Sequence, residues 1–108
     1  MSDESTFHVV LDTDANITSF EGLAESISGY SASDVIGKNW FEIFIPHANK
    51  DEILSVFRSF LNGDISFWEY ENTITCKDGT SCLIKWKNSL LRDSKNNPVG
   101  ISSSGSVA

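Results

Sequence analysis

TCKDGTSCLIKW, residues 75–86, sets a Lys-Asp-Gly-Thr turn between two alternating runs and places a cysteine on each side of it. Asp78-Gly79 is a strong hairpin signal, because a tight turn between antiparallel strands needs backbone angles that glycine adopts without strain. The cysteines pose a separate question, whether the hairpin also holds a metal or a redox centre. Zinc needs about four convergent ligands. Cys76 and Cys82 are not in a CxxC pair, and the only histidines, His8 and His47, lie far away in sequence. The pair therefore reads as free, buried thiols that a reducing compartment keeps unpaired, with no metal site.

Outward from the turn, both flanks alternate. In FWEYENTIT, residues 67–75, Trp68, Tyr70, Asn72 and Ile74 share one side, against Glu69, Glu71, Thr73 and Thr75. In SCLIKWKNSLL, residues 81–91, Cys82, Ile84, Trp86, Asn88 and Leu90 oppose Leu83, Lys85, Lys87, Ser89 and Leu91. The side without the lysines is the expected core face. RDSKNNP, residues 92–98, is a further turn, and VGISSSGSV after it the last strand.

The half before the hairpin is mixed. FHVVLDT and ITSF read as a strand pair joined by the Asp/Asn-rich turn of DTDAN. GLAESISGY and SASDVIG are short helical pieces, the second capped by Ser31, with Asp34 in its first turn and Gly37 after it. The clearest helix is NKDEILSVFRSFLNGD, residues 49–64. Asn49 and Glu52 resemble a capping box, Ile53, Val56, Phe57, Phe60 and Leu61 recur at helical spacing, and Gly63 is the stop. Strands, then helices, then a three-strand meander is an α+β order with an antiparallel sheet.

Bulk properties agree with one packed domain. The chain has 108 residues, 40% of them apolar, with three Trp and seven Phe. That length is near the modal domain size. Met1 to Thr6 reads as a flexible tail and residues 7–108 as the domain. No apolar run approaches a membrane span, and the acidic start does not resemble a signal peptide, so the expected location is cytoplasmic. The net charge of −7 argues against nucleic acid. Through Asp64 there are 11 acidic and 3 basic residues, and beyond it 4 and 5, so the negative charge is concentrated in the first half.

The succession DTDANI, SGYSASDVIGKNWFEIF, ITCKDGT resembles a PAS domain of the sensor-kinase type, over about Phe7 to Val107. Its most specific pieces are Gly29-Tyr30 with the SASDVIGKN helix, and Lys77-Asp78-Gly79. The resemblance implies a five-stranded antiparallel sheet in the order 2-1-5-4-3, with short helices and one longer helix over one face. Two positions depart from the family pattern. Glu21 stands where an Asn is frequent, and the chain ends SGSVA where many members carry Asp-Ile-Thr, the segment that couples the sheet to an output helix.

The resemblance also implies tests for cofactors. Photosensing flavin relatives carry a reactive Cys after GxN, where this chain has Trp40, and ring-binding asparagines where it has Ile74 and Ile84. Haem relatives ligate iron from a His on the long helix, which has none here; His47 precedes it. The expected cofactor is therefore none, and a small-molecule cavity is expected to be lined by Phe57, Trp68, Tyr70, Asn72, Ile74, Ile84, Trp86 and Asn88.

The function implied is a sensory or protein-interaction module of a larger signal-transduction protein, such as a histidine kinase of a two-component system, with a downstream output domain. It would sense a small molecule or mediate dimerisation. A weak homodimer through the outer sheet face, with Leu83 and Leu91 at its centre, is the expected partner contact. A flavin or haem redox or gas sensor is one alternative. A small α+β enzyme is another, although no catalytic residues are assigned, because no His–nucleophile pair, phosphate loop or nucleophile elbow is found.

Overall fold

The structure, a computed structural model, describes residues 6–108. Apart from Thr6, the expected tail lies outside the described residues. Thr6 is tied down, because its carbonyl accepts the Leu23 N–H at 2.7 Å.

Five strands make one antiparallel sheet in the order β2-β1-β5-β4-β3, as the family resemblance implies. They are β1 (Phe7–Asp12), β2 (Ile17–Gly22), β3 (Glu69–Thr75), β4 (Ser81–Arg92) and β5 (Pro98–Val107). Between β2 and β3 run the short helices α1 (Ala24–Ser28), α2 (Ala32–Val35) and α3 (Trp40–Ile43), then the longer α4 (Lys50–Leu61). Two 3₁₀ turns, His47–Asn49 and Ile65–Phe67, bracket α4.

Two hairpins use the same turn chemistry. In the β1–β2 turn, the Asp12 carboxylate accepts the N–H groups of Asp14 and Asn16, both at 2.9 Å. In the β4–β5 turn, Asp93 accepts those of Lys95 at 2.8 Å and Asn97 at 2.9 Å. A short acidic side chain that closes its own turn in this way explains why DTDAN and DSKNN punctuate the strands.

The helix starts vary in how they are capped. The Asp34 carboxylate accepts the Ser31 N–H at 3.1 Å, closing the start of α2. Asn39 caps α3, with its oxygen accepting from Phe41 N at 2.9 Å and Glu42 N at 3.3 Å. Its amide nitrogen also donates to the Asp14 carbonyl at 3.1 Å, fastening α3 to the β1–β2 turn. The capping box expected from Asn49 and Glu52 does not form. The preceding 3₁₀ turn leaves Asn49 at φ −106°, ψ 0°, outside the extended geometry a capping side chain needs, and it makes no cap hydrogen bond.

The two most specific sequence pieces meet in space. Gly29 ends α1 at φ +83°, and the Lys77 N–H donates to the Ser28 carbonyl at 2.8 Å. The Lys77 ammonium lies 5.9 Å from the centre of the Tyr30 ring and 3.8 Å from the Asp34 carboxylate. The Gly-Tyr and Lys-Asp-Gly segments are thus two sides of one contact between α1, α2 and the β3–β4 hairpin.

The core lies between the inner sheet face and the helices. Phe7 is fully buried at its centre, with ring centroids 5.3 Å from Trp86, 5.4 Å from Phe20, 6.1 Å from Trp40 and 6.3 Å from Phe44, all edge to face. Burying one such ring contributes about 1.5–3 kcal/mol from water exclusion, and edge-to-face pairing adds to it.

Candidate ligand cavity

The cavity lies where α4 crosses the inner sheet face. The alternation of β4 turns Trp86 and Asn88 inward, and the β3 register sets Tyr70 opposite Trp86 and Asn72 opposite Ile84. From α4, Ile53, Val56, Phe57 and Phe60 form the facing wall, as their helical spacing anticipated. The cavity, partly open to solvent, has a volume of about 70 Å³, room for a few water molecules or a small organic fragment.

Its polar side chains fall into three separate hydrogen-bonded groups. The Trp86 indole Nε1–H donates to Asn72 Oδ1 at 2.6 Å. Asn88 donates from Nδ2 to the Phe67 carbonyl at 3.0 Å and accepts the Ser103 hydroxyl at 2.6 Å. At the edge, the Tyr70 hydroxyl donates to Glu52 Oε2 at 3.4 Å. Burial, with the Glu52 carboxylate beside it, holds the Tyr70 phenol above its ordinary pKa.

Of the residues expected from sequence, Phe57, Tyr70, Asn72, Trp86 and Asn88 come together here. Trp68 does not. It is 50% exposed and precedes β3, whose ladder ends at the Glu69–Lys87 pair. The 3₁₀ turn Ile65–Phe67 breaks the period-two alternation, so Phe67 lines the cavity in its place and packs edge to face on Tyr70 at 6.0 Å. Ile74 and Ile84 also do not line it. Both are fully buried in the solid core towards the hairpin end. There the Phe44 carbonyl accepts the Thr75 N–H at 2.8 Å and ties the end of α3 to the sheet.

Ser103 and Phe67 were missed by sequence reasoning. The serine-rich β5 carries no polar–apolar alternation to reveal which serine faces inward, and FW offered two aromatic residues for one inward position.

These walls do not fit a flavin or a haem. Pockets for drug-sized ligands and cofactors run to about 300–1,000 Å³. Trp40, at the position where photosensing flavin relatives carry a reactive thiol, is buried with its ring 5.7 Å from that of Trp86. His47 is exposed, and His8 sits on the outer sheet face, 3.3 Å from the Ser104 hydroxyl. Cys76 is buried, and its thiol donates to the Ile27 carbonyl at 3.3 Å. Burial raises the pKa of that thiol. Among the described residues no group of His, Cys, Asp and Glu is arranged to hold a metal, and no helix is long and apolar enough to cross a membrane.

The family model described as the PAS fold matches residues 8–104. The chain belongs to the PAS family.

Solved PAS domains superpose along nearly its whole length. The PAS domain of the Cronobacter turicensis RpfR quorum-sensing receptor, in complex with BDSF, gives a TM-score of 0.73 at 26% identity, covering 95% of this chain and 93% of that one. The same receptor domain in complex with C12:0 gives 0.76 at 24% identity with the same coverage. A PAS domain from Colwellia psychrerythraea gives 0.81 at 19% identity, over 95% of this chain and 86% of that one. The PAS-B domain of Drosophila melanogaster Cycle, with bound ethylene glycol, gives 0.78 at 11% identity, over 94% and 99%. No curated protein matches the chain.

Proposed function

We propose that this PAS domain is the sensory module of a larger signalling protein and that it binds a small, largely apolar molecule between α4 and the sheet. The observation that carries the reading is the cavity itself, an apolar chamber into which Asn72, Asn88, Ser103 and Trp86 bring polar groups. That composition is the usual one for small-molecule sites, where apolar walls supply affinity and a few polar atoms set orientation. Solved relatives crystallised with BDSF, C12:0 and ethylene glycol support it, since the same fold has held small ligands elsewhere. Binding is favoured over catalysis because Tyr70 is the one titratable side chain among the described residues of the wall. Occupation would press α4 away from β4 and pass the signal through the sheet to an output domain, such as a kinase.

Native mass spectrometry of the purified domain, with intrinsic fluorescence, tests this. Trp40 and Trp86 both line the cavity, so a bound molecule should shift their emission. Retained small mass, or a raised melting temperature with a small apolar probe, is the expected outcome. A bare mass with no response to any such probe would overturn the reading.

A second reading rests on the outer sheet face, where Leu83 is 44% exposed on β4 and Leu91 is half-buried on the same side. Apolar residues there suit a weak homodimer that brings two output domains together.

A further inference from the structure

The hydrogen bonds inside the cavity restrict the chemistry of its occupant, an inference that rests on the ligand-binding reading above. An indole N–H can only donate, so Asn72 must turn its oxygen towards Trp86, as the 2.6 Å contact shows. The Asn72 NH₂ is thereby directed elsewhere, and it carries no hydrogen bond among the described residues. A backbone carbonyl can only accept, so Phe67 takes the nitrogen of Asn88 and leaves the oxygen to Ser103. The Ser103 proton is spent on the Asn88 oxygen, and one of the two Asn88 amide protons on the Phe67 carbonyl. The fullest donor left for a guest is neutral, the NH₂ of Asn72, with both protons free among the described residues.

The charge around the cavity gives a second constraint. Among the described residues no Lys, Arg, His, Asp or Glu lines it. The carboxylate of Glu52 stands at the Tyr70 hydroxyl on its edge. The nearest lysines along β4, Lys85 and Lys87, alternate to the opposite sheet face, where they pair in register with Glu71 and Glu69. The chain as a whole carries −7. An ionised carboxylate entering the cavity would lose its water, meet no cation and approach Glu52, and burying a charge on those terms is strongly unfavourable. An uncharged ligand with an acceptor oxygen loses far less and can take the free amide protons of Asn72.

We propose that the cavity selects neutral molecules bearing an acceptor oxygen, of the ketone, ester or lactone class, over carboxylates of the same size. Short methyl ketones and alkanoates of matched carbon number are the probes, titrated into the purified domain near neutral pH and followed by thermal shift and tryptophan fluorescence. The ketone of each pair should bind about tenfold or more tightly than its alkanoate. Asn72→Asp keeps an acceptor for Trp86 but replaces the NH₂ with oxygen. It should lower ketone affinity by about tenfold while leaving a benzene probe unaffected. Alkanoates that bind as tightly as ketones would overturn the selectivity and leave the ligand-binding reading standing. Failure of every probe, benzene included, would remove both. Should Asn72→Asp fail to fold, the wild-type comparison of ketone with alkanoate still decides.

Discussion

Gly105 lies directly beneath the indole of Trp86. The two are register partners on β5 and β4, and a methyl group added at Gly105 would stand 2.7 Å from Cζ3 of the ring and 2.5 Å from Cγ2 of Ile84. The missing side chain is what lets Trp86 lie flat enough to touch Phe7, Trp40 and Asn72 together. Gly105→Ala should therefore destabilise the domain by about 1–3 kcal/mol, as overpacking does. Trp86→Ala should cost about 3–5 kcal/mol. In the Trp86→Ala background the added methyl should cost less, since its clash with the ring is gone and the one with Ile84 remains. Urea melts of the four proteins measure this, and additive losses would show that the ring and the glycine are not coupled.

One side chain fastens α3 to the β1–β2 turn. Asn39 caps α3 through its oxygen and holds the β1–β2 turn through its nitrogen. Losing a cap of this kind costs about 1–2 kcal/mol, and Asn39→Ala should fall at the upper end because a tertiary hydrogen bond goes with it. Asn39→Asp retains the cap oxygen and should recover part of the loss. If Asn39→Asp and Asn39→Ala melt together, the capping oxygen contributes nothing.

Acid should destabilise the domain through three carboxylates, one at the start of α2 and two in hairpin turns. Asp34 is held below its ordinary pKa by the N–H and hydroxyl of Ser31, Asp78 by the hydroxyl and N–H of Thr80, and Asp93 by the N–H groups of Asn97 and Lys95. A carboxylate whose pKa is lower in the folded chain contributes stability above its unfolded value and loses it as the pH falls through the folded one. Stability should accordingly hold near neutrality and decline once the pH drops below about 4. Replacing all three with Asn keeps an acceptor oxygen at each position and should flatten that decline. An acid limb equally steep in the triple variant would place the responsible groups elsewhere.

Strand parity was legible wherever polarity alternated. Lys85 and Lys87 against Ile84 and Trp86 oriented β4 without ambiguity, and β4 in turn oriented β3 through their pairing. The α4 wall followed from the spacing of Phe57 and Phe60. Trp68 was misplaced because a 3₁₀ turn, which FWEY does not announce, interrupts the alternation one residue before β3 begins. Ile74 and Ile84 face inward as their parity requires, yet they lie away from the cavity. Parity reports the face of a sheet, whereas the position of a cavity along that face depends on where the helices cross it. The absent Asn49 cap has a similar origin, in a 3₁₀ turn fused to the start of α4.

The outer sheet face offers the last test. Its strands present Thr73 and Thr75 from β3 and Leu83, Lys85, Ser89 and Leu91 from β4, with a run of serines on β5. Two cross-strand pairs of opposite charge, Glu69 with Lys87 and Glu71 with Lys85, occupy one part of it. Leu83 lies at one end of these pairs and Leu91 beyond the other, so a second copy docked antiparallel would bring Leu83 of each copy against Leu91 of the other. Such a contact is self-complementary, as a two-fold dimer requires. Leu83→Glu with Leu91→Glu would set four unpaired carboxylates into that interface, where desolvation is costly, while leaving the inner face and the cavity untouched. Sedimentation at high concentration should show reversible dimer for the wild type and monomer for the double variant, with equal melting temperatures when both are dilute. Identical masses for the two proteins across the concentration range would eliminate the proposed interface.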